Sequence, residues 1–138
     1  MSQKYSGSCL CGEIKYECTG EPVFSGNCHC TDCQKSSGSG YVPVLIFTAD
    51  TIKITGNPNF YEKVGDSGKK IERGFCTICG STVFGKLEVI PNAIGVRAGT
   101  LDNPNSYQPK FDFYTSSSNH WDFMNENIPK LKKSIREG

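Results

Sequence analysis

The sequence predicts a mostly β domain built from short strands with little helix, and three features favour it. Residues 13–18 and 51–55 alternate apolar and polar side chains, as half-buried strands do. Residues 60–64 and 69–75 flank a Gly-Asp-Ser-Gly segment and predict a hairpin. The 15 glycines indicate many turns. We expect six to eight short strands.

The other elements follow in chain order. Residues 23–24 begin a strand that leads into a cysteine-rich stretch at 27–34. Residues 34–38 predict a single helical turn, with Thr31 as its N-cap and Gly38 as its terminator. Residues 41–47 form a continuous apolar run and predict a strand buried on both faces. Its Pro43 predicts a position near a sheet edge or a bulge.

Three more strands are expected at residues 82–84, 93–98 and 111–114. Residues 127–136 are polar and basic, and their pattern also allows a helix. The four cationic side chains in this segment are interpreted as a solvated face: Lys130, Lys132, Lys133 and Arg136. We expect a single domain over residues 1–138, with its core at about 7–129 and a polar tail at 130–138.

Charge and hydropathy exclude several classes of protein. The net charge of +1 gives no general attraction to nucleic acid or to an anionic membrane. The longest apolar run, residues 41–47, is far shorter than the ~20 residues that span a bilayer. Residues 1–8 lack the apolar core of a secretory signal. A soluble, cytoplasmic protein is expected.

Eight cysteines make up about 6% of the chain, below the ~8–10% of disulfide scaffolds. In a reducing cytosol, clustered cysteines indicate metal binding rather than disulfides. Seven of them fall into three clusters: Cys9 and Cys11; Cys28, Cys30 and Cys33; Cys76 and Cys79. We expect two zinc ions per chain.

The two outer cysteine pairs together supply four thiols, which is the ligand count of a structural zinc site. The Cys76–Cys79 pair is a C-x-x-C knuckle followed by glycine. Sulfurs sharing one zinc lie about 3.8 Å apart, whereas alternate residues of a flat strand lie ~6.6 Å apart. The backbone must therefore bend at Cys9–Cys11, where Gly7 and Gly12 bracket the pair. A redox-active C-x-x-C is the alternative, but no thioredoxin-like βαβ pattern surrounds it.

The central trio, Cys28, Cys30 and Cys33, supplies three thiols, as catalytic zinc sites often do. A substrate thiol could then occupy the fourth position as a thiolate. Three alternatives are open: Cys18 completes a second four-thiol site, His29 closes it, or the trio is reactive without metal. Cys18 shares a predicted face with apolar residues, which favours the core. Strand alternation points His29 away from its neighbours.

Several motifs resemble the glutathione-dependent formaldehyde-activating enzyme family, which also includes centromere protein V. They are Gly-Ser-Cys-Leu-Cys-Gly at 7–12, Cys-His-Cys-Thr-Asp-Cys-Gln-Lys-Ser-Ser-Gly at 28–38 and Phe-Cys-Thr-Ile-Cys-Gly-Ser at 75–81. Residues 98–102 and the segment from Trp121 to Pro129 extend the likeness. The resemblance implies a zinc-containing β-tent of folded antiparallel sheets.

The resemblance also implies carbon–sulfur lyase chemistry that joins glutathione and formaldehyde to S-hydroxymethylglutathione. It assigns structural zinc to the outer pairs, Cys9, Cys11, Cys76 and Cys79, and catalytic zinc to Cys28, Cys30 and Cys33. The chain departs from many relatives at Phe111, Asp112 and His120, which are expected to line the substrate region.

The expected partners are a small thiol such as glutathione and a small aldehyde. Lys35 is a candidate for pairing with a glutathione carboxylate, and Tyr41 and Trp121 are candidate pocket walls. Asp32 is a weaker candidate for an acid or base. The competing hypothesis is a non-enzymatic, zinc-stabilised binding module. Nucleic-acid binding through the lysine-rich tail is disfavoured, since no basic stripe interleaved with aromatic residues occurs.

Overall fold

The computed structural model describes residues 5–133, which contain ten strands, one α-helix and four single-turn 3-10 helices. The strands are β1 Tyr5–Ser8, β2 Lys15–Cys18, β3 Phe24–Cys28, β4 Val42–Thr48, β5 Ile52–Thr55, β6 Asn59–Val64, β7 Lys70–Phe75, β8 Thr82–Leu87, β9 Ala93–Arg97 and β10 Phe111–Phe113. The α-helix α1 is Thr31–Ser37, and the 3-10 helices are Ala49–Thr51, Ala98–Thr100, Pro104–Ser106 and Thr115–Ser117. The predicted mostly β fold with little helix is confirmed.

The strands form two sheets. The small sheet has the order β1-β2-β5, and the large sheet has the order β10-β3-β4-β9-β8-β7-β6. Neighbouring strands in both sheets are antiparallel, except that β10 runs parallel to β3. The hairpin predicted over residues 60–75 is confirmed as β6 and β7, with Glu62 opposite Glu72.

One hydrophobic cluster joins the two sheets. Tyr16 of the small sheet is 1% exposed, and its ring lies 5.6 Å from the ring of Phe84 in the large sheet. Phe84, Val96 and Leu45 are cross-strand partners, so they share the face of the large sheet that forms the core. The opposite face of this sheet points away from the core.

Pro43 does not mark a sheet edge, so that prediction is wrong. β4 lies in the interior of the large sheet, between β3 and β9. Its ladder with β9 begins at Val44, opposite Arg97, whereas Pro43 pairs with Asn27 of β3. Proline is tolerated here because it stands one residue outside the β9 ladder, where a missing N–H costs no bond to that strand.

Strand β1 was not predicted, because it contains a single large apolar residue and therefore shows no alternation. Tight packing places it instead: Gly7 pairs with Tyr16, and a Cβ atom on Gly7 would lie 2.2 Å from the Thr100 carbonyl oxygen. Only glycine fits this contact.

None of the helices in the described range is long and apolar enough to cross a membrane.

The basic segment is not helical over residues 127–133, the part that the structure describes. Leu131 N donates to the Asp112 carbonyl oxygen (2.8 Å), and Lys130 Nζ lies 2.9 Å from Asp112 Oδ2. Lys130 therefore pairs with a buried carboxylate, but its side chain is 33% exposed, and Lys132 and Lys133 are exposed as predicted. Residues 134–138, including Arg136, lie outside the described residues, and the predicted domain limits stay a prediction.

Candidate functional site

Four cysteine sulfurs from distant parts of the chain meet at one point. Those of Cys9, Cys11, Cys76 and Cys79 lie within 4.8 Å of one another. Cys11 Sγ is 3.7 Å from Cys9 Sγ and 3.7 Å from Cys76 Sγ. Two sulfurs that share a tetrahedral zinc ion are expected about 3.8 Å apart. These two separations therefore fit sulfurs that share a zinc ion.

Two tight turns create the four-thiol group. Gly12 (φ 84°) and Gly80 (φ 80°) adopt left-handed conformations that favour glycine. Their N–H groups donate to the carbonyl oxygens of Cys9 (3.1 Å) and Cys76 (2.8 Å). The predicted bend after Cys9 is present, and it directs the Ile14 N–H to Cys9 Sγ at 3.3 Å. Such amide donors stabilise thiolate charge.

A second group contains Cys28, Cys30 and Cys33, whose sulfurs also lie within 4.8 Å of one another. Cys28 ends β3, and Cys30 is the N-cap of α1 because its sulfur accepts the Cys33 N–H (3.3 Å). Thr31, predicted as the cap, is instead the first helical residue. Gly38 ends the helix at φ 72°, as predicted.

The structure places both candidates for a fourth protein ligand elsewhere. Cys18 is fully buried in the core, where burial raises the pKa of its thiol to about 12. His29 is 1% exposed, with Nε2 2.8 Å from Asp112 Oδ1 and Nδ1 hydrogen-bonded to Asp122 Oδ2. Both ring nitrogens are therefore engaged. Across residues 5–133, the group of potential metal ligands around the trio contains three side chains.

Two arginines lie beside the three-thiol group. Arg73 Nη2 is 3.9 Å from Cys33 Sγ, and Arg73 is 7% exposed. A hydrogen bond from Cys28, a second from Cys30, and the charges of Arg73 and Arg97 together lower the pKa of Cys33 to about 3, against the effect of burial. The two arginines therefore favour negative charge on Cys33. Arg73 Nε has no acceptor among the described residues.

The three-thiol group opens onto a cavity of about 400 Å³. Its floor is the face of the large sheet that points away from the core, and one cross-strand row runs along it. The row consists of Arg73, Gly85, Gly95, Ile46 and Phe24, from β7 through β8, β9 and β4 to β3. We call this row the glycine floor.

Sequence reasoning missed Arg73 and Arg97, although a signal existed. Each stands two residues from an apolar or small residue on its own strand, Ile71 and Gly95, so it shares that residue's face. A lone cation on an otherwise apolar strand face indicates a buried partner or a ligand. The alternation alone could not tell which face of the sheet would carry the site.

The three substrate contacts predicted from the sequence do not line this cavity. Lys35 is exposed on α1, and the ring of Tyr41 packs 5.1 Å from the ring of His29. Trp121 is 55% exposed and lies beside Gly40, where an added Cβ would be 3.0 Å from its Cζ3. A role for these residues in substrate binding stays a prediction.

Asp32, the candidate acid or base, does line the cavity, but its Oδ2 is 3.0 Å from Lys63 Nζ. Its carboxylate is therefore already paired with a cation. Phe111, Asp112 and His120 do not line this cavity, and their expected place in the substrate region stays a prediction.

Asp112 is instead the centre of a buried polar network. Burial raises its pKa, but hydrogen bonds from His29, Lys130 and Asn27 outweigh burial and hold the pKa of Asp112 below its usual value. Asn27 Nδ2 donates at 3.2 Å, and Lys130 supplies a second positive charge at 2.9 Å. The network joins the chain after β10 to the loop that carries the three-thiol group.

Comparison with known proteins places the chain in a family. It is 29% identical to a protein of Talaromyces marneffei over 90% of this chain and 68% of the relative. It is 26% identical to a protein of Phaeosphaeria nodorum over 94% and 70%, and both relatives are named for glutathione-dependent formaldehyde activation. The crystal structure of a Rhodobacter sphaeroides protein shares the fold, with a TM-score of 0.57 and 21% identity over 73% of this chain and 93% of that one. Residues 4–117 match the sequence profile of one family, and the chain belongs to it: the glutathione-dependent formaldehyde-activating enzyme family.

Proposed function

We propose that the chain is a zinc-dependent carbon–sulfur lyase that forms or splits S-hydroxymethylglutathione, the adduct of glutathione and formaldehyde. Family membership and the names of the fungal relatives support this activity. The observation that carries the proposal is the inequality of the two thiol groups. One has four protein sulfurs, whereas the other has three and faces a cavity beside two arginines.

The four-thiol group, Cys9, Cys11, Cys76 and Cys79, is the proposed structural zinc site. Thiolates are the ligands that structural zinc prefers, and the 3.7 Å sulfur separations match its geometry. A metal ion here would join two turns that are 65 residues apart, so its binding energy would be folding energy.

The three-thiol group, Cys28, Cys30 and Cys33, is the proposed catalytic zinc site. A zinc ion held by these sulfurs would supply a Lewis-acidic fourth position that lowers the pKa of an incoming thiol. The charge count favours an anion there. Three thiolates and Zn²⁺ sum to −1, and Arg73 and Arg97 bring the sum to +1, so a substrate thiolate would make the buried site neutral.

The outer part of the cavity suits the carboxylates of glutathione. Its exposed lining carries Lys69, Lys70 and Lys133, against the carboxylates of Asp32 and Asp66. This excess of positive charge attracts the two carboxylates of the tripeptide. The cationic lysines and the buried arginines together orient the thiol towards the three-thiol group.

The reaction itself balances without a further reagent. The sulfur electron pair forms the C–S bond to the aldehyde carbon, the C=O π pair moves to oxygen, and that oxygen takes the proton released by the thiol. Arg73 Nε has no acceptor among the described residues and is the proposed donor to the oxygen as it becomes negative.

Cys30→Ser tests the proposal. Serine is a preferred N-cap, so α1 keeps its start while the metal loses a sulfur. Because thiols add to formaldehyde unaided, the readout is the rate of exchange between glutathione, formaldehyde and their adduct, measured by NMR, together with zinc per chain. We expect a folded variant that retains one zinc ion and loses the rate enhancement.

Cys18→Ala is the matched control, because Cys18 is a buried cysteine outside both groups. It should keep two zinc ions and the wild-type exchange rate. The alternative function, a zinc-stabilised binding module, predicts that wild-type protein does not accelerate exchange for any thiol and aldehyde. Unfolding of Cys30→Ser together with inactive wild-type protein would favour that module.

A further inference from the structure

The glycine floor is more apolar than glutathione and formaldehyde require. Beyond Arg73 it presents Gly85, Gly95, Ile46 and Phe24, whose side chains offer no hydrogen bond. Five strands about 4.8 Å apart give this row a length of roughly 19 Å. The backbone groups of interior strands are paired within the sheet, so the floor has few polar groups to offer a ligand.

A tripeptide cannot occupy this floor without penalty. Burying a peptide group without a partner costs enough to reduce affinity roughly tenfold or more. The peptide of glutathione therefore belongs at the exposed, lysine-rich end of the cavity. Formaldehyde has two heavy atoms, roughly 60 Å³ at ~30 Å³ per water-sized atom, so with glutathione at the exposed end it covers little of the glycine floor.

Gly85 indicates that the empty space is maintained. Glycine in the middle of a strand weakens the sheet, so it needs a reason. Its cross-strand partner Gly95 must be glycine for packing reasons, because a Cβ there would lie 2.8 Å from Val44 Cγ2. A Cβ on Gly85 would meet only the Glu72 carbonyl oxygen, at 4.0 Å. Neither packing nor a left-handed backbone requires glycine at position 85, whereas an open floor does.

The geometry points to a substrate class: glutathione adducts of aldehydes that carry an apolar alkyl or aryl group, with that group lying on the glycine floor. This inference rests on the proposed function for the identity of the thiol. In the reaction, the C–S bond forms at the aldehyde carbon and the thiol proton moves to its oxygen, as for formaldehyde. The apolar substituent takes no part in the bond changes and contributes binding.

The test uses S-methyl-, S-butyl- and S-hexylglutathione, stable thioethers whose alkyl group stands where the aldehyde substituent would lie. Their affinities for the full chain, as purified, are measured by calorimetry. Each buried methylene should tighten binding about fourfold, which gives roughly 60-fold from methyl to butyl. Gly85→Leu fills the floor and should reduce this gain to less than about fourfold.

Two further variants keep the test decisive. Gly85→Ala adds one methyl group in ordinary contact and should give an intermediate gain even if Gly85→Leu does not fold. Gly99→Leu is the matched control: Gly99 is exposed, with nothing within 4 Å of an added Cβ, and it should keep the full gain. Wild-type affinity that does not depend on chain length would overturn the inference.

The experiments distinguish failure of the proposed function from failure of the proposed substrate class. Accelerated exchange of formaldehyde without any chain-length dependence would leave the proposed function standing and overturn the substrate class. A chain-length gain that Gly85→Leu abolishes, in a protein that does not accelerate formaldehyde exchange, would support the floor as a binding site and contradict formaldehyde as the substrate.

Discussion

Replacing His29 by leucine should destabilise the protein strongly, because both ring nitrogens of the histidine are hydrogen-bonded to buried carboxylates. His29 and Asp112 are each 1% exposed, and the Asp122 side chain is 3% exposed. His29 is therefore the polar partner that both carboxylates share inside the fold. Leucine has a similar volume but donates nothing.

The expected loss follows from the charges left behind. In His29→Leu, Asp112 keeps the ammonium of Lys130 at 2.9 Å, whereas Asp122 loses its imidazole partner. Removing one partner of a buried ion pair costs 3–5 kcal/mol. We therefore expect the free energy of unfolding to fall by about 4 kcal/mol, a large part of the 5–15 kcal/mol typical of a domain.

A double-mutant cycle with Asp122→Leu isolates the cause. If the unpaired carboxylate is responsible, the double variant should recover about 2 kcal/mol relative to His29→Leu, because the orphaned charge is gone. Urea unfolding followed by circular dichroism, at fixed free zinc because bound metal stabilises the folded state, gives the four free energies.

The second histidine provides the control. His120 is exposed, so His120→Leu should change stability by less than about 0.5 kcal/mol. Losses for His29→Leu and Asp122→Leu that add to within about 0.5 kcal/mol in the double variant would refute a direct interaction between the two side chains.

Three further predictions concern ligand binding, acid stability and the core. Arg73→Met should weaken glutathione binding about tenfold by calorimetry, since it removes a buried cation beside Cys33; a loss confined to Lys35→Met would support the contact predicted from the sequence instead. The pKa of Asp112 in the folded protein lies below its value of about 3.9 in the unfolded chain. The ionised carboxylate therefore stabilises the fold above about pH 3.9, and this stabilisation is lost as the pH falls through the folded-state pKa. Asp112→Asn should thus flatten the pH dependence of urea unfolding below about pH 4, and an unchanged slope would contradict this. Phe84→Ala should cost about 3–5 kcal/mol in the same unfolding assay, against less than about 0.5 for the exposed Phe123→Ala, and equal losses would contradict the described core.

Local patterns predicted the strands well because each depends on neighbouring residues. The alternation that ends at Cys18 and the hairpin of β6 and β7 needed no long-range information. The division of seven cysteines into four and three also followed from spacing, since short-range pairs constrain which sulfurs can share an ion. The structure brings together the same groups that ligand counting predicted.

The surroundings of the site could not be predicted in this way. His29 meets its carboxylates 83 and 93 residues further along the chain, and no periodicity encodes such a pairing. Arg73 and Arg97 became neighbours of the three-thiol group only through the order of strands in the large sheet. The sequence therefore indicated the grouping of the cysteines, whereas Tyr41 and Trp121, its candidate pocket walls, lie outside the cavity.

Zinc K-edge X-ray absorption on the purified chain, with and without glutathione, tests the central claim that the two thiol groups hold zinc unequally. Four sulfurs at one ion and three at the other average to about 3.5 sulfur neighbours per zinc, and a thiol entering the second site raises the average to about 4. We expect two zinc ions per chain and this rise on addition of glutathione. An average of about 4 before any thiol is added, or one that glutathione leaves unchanged, would contradict the account.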